Sequence, residues 1–353
     1  MIDASKRAIS VYPLDVASVG LASLLILVPL LVSPTAAAAA AASASLVWAL
    51  NLTLNFPHFM ASYALVYRSR SVIRRYWRAT LAVPLVLAAW SITGIALAPT
   101  DGTLFHLGVV VAGLYIGIHY TGQCWGMMVA FGHLEGVRFE ERERRLIRAG
   151  LYGLVVWHAA SFAAGDLAQP PPEARPLLDA ALRFSGWLVA LTFFLSAAGI
   201  MSVARRLGRV PPARVLLPWV AVYAWYAVFA GVPNGAFWVQ IAHSVQYLIF
   251  PTRMLVNNVA RRGHTPRVVL VVAGWYLALL ALGYGVFGWL PTALGWVATA
   301  FLDRAVADEA VRLLPMAVTV IVNVHHYYTD GSIWKMKDPD VRATLFAHLQ
   351  RDS

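Results

Sequence analysis

Ten histidines punctuate a chain that is otherwise short of titratable groups, and several of them recur at one spacing. His58 lies ten residues before Arg68, His243 ten before Arg253, His325 ten before Lys335, and His158 ten after Arg148. His119 comes 15 residues after Leu104, where an apolar run begins. In a helix, ten residues rise about 15 Å, half the thickness of a bilayer's hydrocarbon core. If these runs cross a membrane, five helices present imidazoles in one layer. Imidazole suits iron, zinc, copper and nickel, and ionisable groups inside a span are functional candidates by default. The pattern predicts a transition-metal site ligated by His58, His119, His243 and His325. For any one ring the competing reading is a hydrogen bond to a neighbouring helix.

The neighbours of these histidines extend the prediction. His326 follows His325 directly and points about 100° away around the helix, so one of the pair can ligate while the other supports. Asp330 is four residues after His326 and five after His325, close to the face of the former. It can ligate, orient an imidazole or accept a proton, and His326 and Asp330 are therefore the expected supporting catalytic pair. Gln123 and Asn55 can bond ring nitrogens or tie helices together. Pro57 loosens the helix just before His58. Tyr63, Tyr120, Tyr247 and Tyr327 follow layer histidines closely, as packing rings or as phenols near a metal. His158 either ligates or packs, His133 and His106 belong near the two surfaces, and His264 and His348 are expected to be solvated.

The elements that must carry these side chains follow from composition. Of 353 residues, 59% are hydrophobic and 13% charged, against roughly 45–50% and about 25% in soluble domains. Repeated apolar stretches of about 20 residues indicate a polytopic α-helical membrane protein. A transmembrane β-barrel would need period-two alternation, and the single cysteine, Cys124, excludes a disulfide scaffold and covalent c-type haem. Of the 28 Lys and Arg residues, all but Arg175, Arg183, Arg304 and Arg312 sit in six clusters, with room for two crossings between consecutive clusters. That positive-inside pattern predicts an all-α bundle of about ten spans, approximately 16–33, 38–67, 79–98, 104–133, 147–164, 178–203, 214–232, 235–257, 267–289 and 308–334. Both termini face the cytoplasm in this reading, and 290–307 is either an interfacial or a re-entrant helix. Residues 1–353 then form one integral membrane domain, expected in a bacterial inner membrane. The net charge of +11 is explained by juxtamembrane residues that attract anionic lipids, with no nucleic-acid partner.

Four segments, taken in order, resemble the Brp/Blh-type membrane β-carotene dioxygenases. They are Pro57-His58-Phe59, His119-Tyr120, His243-Ser244, and Val324-His325 with Asp330 five residues on. Ser62, Cys124 and Tyr247 stand where that family has Asp, Asp and a further His. The resemblance implies Fe(II) held by four histidines from separate helices, acting with O2 on a lipid-soluble, isoprenoid or lipid, substrate; on the residues alone another transition metal fits equally. Two other readings come from the residues: b-type haem between two facing helices in an electron-transfer protein, and a transporter whose intramembrane histidines relay protons or metal ions.

Overall fold

The computed structural model describes residues 9–10, 12–165, 168, 170–261, 267–336 and 338–347, and among these every regular element is helical. His264 and His348 lie outside the described residues. In chain order the helices are α1 (Tyr12–Val32), α2 (Pro34–Ala42), α3 (Ala44–Val66), α4 (Arg70–Arg75), α5 (Arg78–Leu97), α6 (Thr103–Leu134) and α7 (Glu141–Ala164). They continue with α8 (Pro172–Leu207), α9 (Ala213–Gly231), α10 (Gly235–Arg261), α11 (Val268–Phe301), α12 (Arg304–Ile333) and α13 (Pro339–Leu345).

Each of the ten expected spans has a helix in its place, yet only seven are both long and apolar enough to cross a membrane: α1, α5, α6, α7, α8, α9 and α11. An eighth is added if α2 and α3, bent by 84° at Ser43, count as one. The apolar helices make this an integral membrane protein. α10 and α12 fail the test because they are the polar inside of the bundle, carrying the buried His243, Ser244 and Gln246 and the buried His325, His326 and Asp330. A helix sheathed by its neighbours need not match lipid on every face. The 290–307 stretch also differs from expectation, because α11 runs through Trp289 to Phe301 by way of a π-helical segment, Gly285–Trp289.

Two prolines shape the helices around the histidines. Pro57 has no N–H for the carbonyl one turn back, and the chain enters α3's second half through a π-helical turn, Asn51–Asn55. The Tyr276 hydroxyl donates to the freed Thr53 carbonyl. Pro84 repeats the arrangement in α5 behind the π-helical turn Arg78–Ala82. There the Tyr67 hydroxyl donates to the Thr80 carbonyl at 2.9 Å, and His325 Nε2 donates to the Ala79 carbonyl at 2.8 Å.

Described residues of five of the six basic clusters meet at one end of the bundle. Arg206 binds Glu143 at 2.9 Å, and Arg75 binds Asp338 and Asp340 at 2.7 and 2.6 Å. The tail is held further by Asn257, whose side chain donates to the Thr344 and Leu345 carbonyls. Fully buried Arg214 lies between Asp15 and Glu135, and Asp15 also accepts from the Ile9 and Ser10 amides. Both the first described residues and the tail are thus fastened to this end.

Candidate metal centre

Four helices each direct one buried imidazole to a common point: His58 from α3, His119 from α6, His243 from α10 and His326 from α12. One ligating nitrogen from each lies within 4.8 Å of all the others. His58 Nε2 is 2.9 Å from His326 Nε2, and His119 Nε2 is 3.0 Å from His243 Nε2. An ion about 2.0–2.1 Å from each of two nitrogens at a right angle would set them ~3.0 Å apart.

The hydrogen bonds behind the rings orient them and, for His58, decide which nitrogen carries the proton. His58 Nδ1 lies 2.9 Å from the Asn55 backbone carbonyl, which can only accept, so the ring's proton is on Nδ1 and its Nε2 holds a lone pair. His326 is fixed by a longer chain. Ser62 and Tyr247 both donate to Asp330 Oδ1, at 2.8 and 3.0 Å, and Trp334 Nε1 donates to the Tyr247 oxygen at 2.9 Å. Ser62 Oγ lies 2.9 Å from His326 Nδ1 and 2.6 Å from the Tyr247 oxygen. The His58 Nε2 lone pair thus faces His326 Nε2 at 2.9 Å inside the protein, close enough for one cation to be bound by both rings. The residues present therefore fit a metal ion, and an all-imidazole donor set fits a transition metal. A porphyrin does not fit, because around any pair of these nitrogens the other two imidazoles, all within 4.8 Å of one another, occupy the space a macrocycle would need.

His325 is not in this group, and the fourth member is His326. The Nε2 atom of His325 is taken by the Ala79 carbonyl, and its ring stacks on Tyr63 with centroids 4.8 Å apart. A residue advanced by one turns about 100°, so the ring that repairs the Pro84 break cannot also reach the centre. Asp330 is placed as expected beside His326, with Oδ2 3.4 Å from His326 Nε2. A carboxylate thus sits next to the four neutral ligands.

The other polar residues singled out in the sequence separate into near and far. Gln123 ties α6 to α10, donating to the His243 carbonyl and to Gln246 Oε1. Asn55 supports His58 through its backbone, and its side chain accepts from Ser244 at 3.2 Å. Of the four tyrosines only Tyr247 joins the centre's hydrogen bonds. Tyr327 stacks on His119 with centroids 4.4 Å apart, Tyr120 packs on His243, and Tyr63 donates to the Val322 carbonyl. His158 donates to the Gly113 carbonyl at 2.8 Å and lies so close to Gly117 that a Cβ there would meet its ring at 2.9 Å. It is a packing residue between α7 and α6. His106 donates to the Ala168 carbonyl, and His133 packs on Phe346.

Ser62 and Trp334 escaped the sequence reading as site residues, and Tyr247 is one of the four tyrosines read as packing rings or phenols near a metal. Ser62 is one turn after His58 and Tyr247 one turn after His243, so both lie on ligand faces. They are also two of the three positions that depart from the family pattern, and in space their oxygens are 2.6 Å apart. The third, Cys124, is buried in the apolar core.

Comparison of the chain with protein-family models, curated proteins and solved structures found no match in any of the three. Fold and geometry by themselves define a helical integral-membrane protein with a buried four-histidine group able to hold a metal ion.

Proposed function

We propose that this protein is a membrane-embedded non-haem iron oxygenase, acting with O2 on a lipid-soluble substrate. The observation that carries the reading is the convergence of four buried histidine nitrogens, with those of His58 and His326 only 2.9 Å apart. Iron is favoured over zinc or copper by the resemblance of the four histidine segments to the Brp/Blh-type enzymes. Bound among these nitrogens, Fe(II) would supply the activation of O2.

The protein's own residues supply the rest. Four imidazoles leave up to two positions of an octahedral ion free. The chain from Trp334 through Tyr247, Ser62 and Asp330 holds the His326 ring in one orientation, the usual work of groups behind a metal ligand. Asp330 offsets the charge that neutral ligands leave uncompensated. Apolar rings such as Phe59, Tyr120 and Trp225 close the back of the site and exclude water from it, which protects reactive species. A cavity of about 250 Å³ lined by His119, Tyr247 and Asp330 gives a substrate access. The basic end would rest against anionic headgroups.

Element analysis of the purified protein tests the proposal. Near-stoichiometric iron is expected, lost on replacing His58 or His243 with alanine. Zinc at full occupancy, or iron unchanged in both variants, would refute it.

A further inference from the structure

We infer that the cavity beside the histidines binds the hydroxyl end of a neutral long-chain alcohol that enters sideways from the bilayer between α6 and α12. The inference deepens the oxygenase reading and rests on its metal centre, because an ion at His119 Nε2 fixes the ring's proton on Nδ1.

The cavity's inner end is polar in a particular way. His119 and Asp330 are both more than nine-tenths buried, and both line it. His119 turns Nε2 toward the cluster, and its Nδ1 has no hydrogen-bond partner in the protein. With Nε2 as the ligand atom, Nδ1 carries the proton and is a donor. Asp330 receives Ser62 and Tyr247 on Oδ1, while Oδ2 lies 3.4 Å from His326 Nε2. One donor, His119 Nδ1, and one acceptor with spare capacity, Asp330 Oδ2, therefore belong to the two buried polar residues of the lining. A hydroxyl satisfies both, accepting from His119 and donating to Asp330. A plain hydrocarbon would leave both polar atoms unsatisfied, and a carboxylate would meet the Asp330 carboxyl.

Outward, the walls become apolar and thin. Ile118, Met127, Phe250 and Met336 line them, together with Gly122 and Gly126 of α6 and Gly331 of α12. A Cβ built on any of these three glycines meets no heavy atom within 4 Å, unlike Gly113 or Gly117, where a neighbour's ring occupies that space. Glycine within a helix costs about 1 kcal/mol relative to alanine, and at these three positions no packed neighbour requires it. Ile118 is 53% exposed and Gly122 is exposed, on a helix that crosses the membrane, so the mouth faces lipid. Benzene fills an engineered cavity of ~150 Å³. A space of about 250 Å³ therefore takes a hydroxyl and the first part of a chain whose remainder lies in the bilayer.

The test uses the whole protein in detergent or nanodiscs with a hexadecanol that carries a mid-chain diazirine, and peptide mapping of the photo-adducts. Adducts are expected on Met127, Phe250 and Met336. Unlabelled hexadecanol should displace the probe at least about tenfold more effectively than hexadecane or palmitate, the factor that ~1.4 kcal/mol gives. Phytol as a competitor distinguishes a methyl-branched isoprenoid chain from a straight one. Leucine at Gly122 and Gly126 (G122L/G126L) should abolish these adducts while metal content and thermal unfolding stay unchanged. Equal competition by hexadecane, or adducts spread over the lipid-facing helices and unaffected by G122L/G126L, would overturn the inference. The expected adducts in a protein that proves to hold zinc in place of iron would count against the oxygenase reading alone.

Discussion

His325 and His326 are consecutive residues that serve opposite ends of one construction: His326 Nε2 lies 2.9 Å from His58 Nε2 in the cluster, while His325 Nε2 donates to the Ala79 carbonyl left without a partner behind Pro84. The division makes the two rings separable by mutation. Alanine at His326 should remove the metal. Alanine at His325 should leave metal content intact and lower stability by about 1–3 kcal/mol, the cost of an unsatisfied buried carbonyl. Element analysis and thermal unfolding of both variants check this, and metal loss in H325A with retention in H326A would reverse the assignment.

Binding of an ion to the native centre should raise stability by mass action. At a free metal concentration 100 times the dissociation constant the gain is about 2.7 kcal/mol. Stripped protein titrated with Fe(II) under anaerobic conditions should unfold at progressively higher temperature, whereas H58A and H243A should show no metal-dependent shift.

Ser62 and Tyr247 act on the centre through Asp330 and His326. Ser62→Ala deprives His326 Nδ1 of its hydrogen-bond partner, and Tyr247→Phe removes one of the two donors to Asp330 Oδ1. Each should weaken metal affinity by about 10–100-fold, the usual effect of losing such support. Since both reach the same carboxylate, the double variant should lose less than the sum of the two free-energy changes. Competition against a chelator of known affinity measures all three.

The Arg214 site is structural and lies away from the histidines. Its guanidinium is fully buried between Asp15 and Glu135, so Arg214→Ala would leave Asp15 buried with its principal countercharge gone. A destabilisation of about 3–5 kcal/mol is expected, with metal content per folded molecule unchanged. A loss of metal in the remaining folded fraction would contradict the separation of the two sites.

His158 gives a further contrast. It shares the ten-residue spacing but donates to the Gly113 carbonyl and is not among the four converging nitrogens. H158A should keep full metal occupancy, and its cost should appear only in unfolding, at about 1–3 kcal/mol.

Membrane residence, helical class and the existence of a histidine layer were legible in the residues themselves, because each depends on local quantities: apolar run length, rise per residue and distance from a basic boundary. Three of the four converging rings, His58, His119 and His243, follow from that depth argument. The choice between His325 and His326 does not, because depth along a helix says nothing of azimuth, and azimuth is set by what packs around α12. A proline on another helix, Pro84, claims one ring, and the Ser62–Tyr247–Asp330 network claims the other. Asp330 one turn after His326 was the local hint of the right face. The number of lipid-crossing helices was blurred for the same reason. α10 and α12 bury their polar faces against neighbours, and only the tertiary structure shows which helices are shielded by others and which must satisfy the bilayer alone.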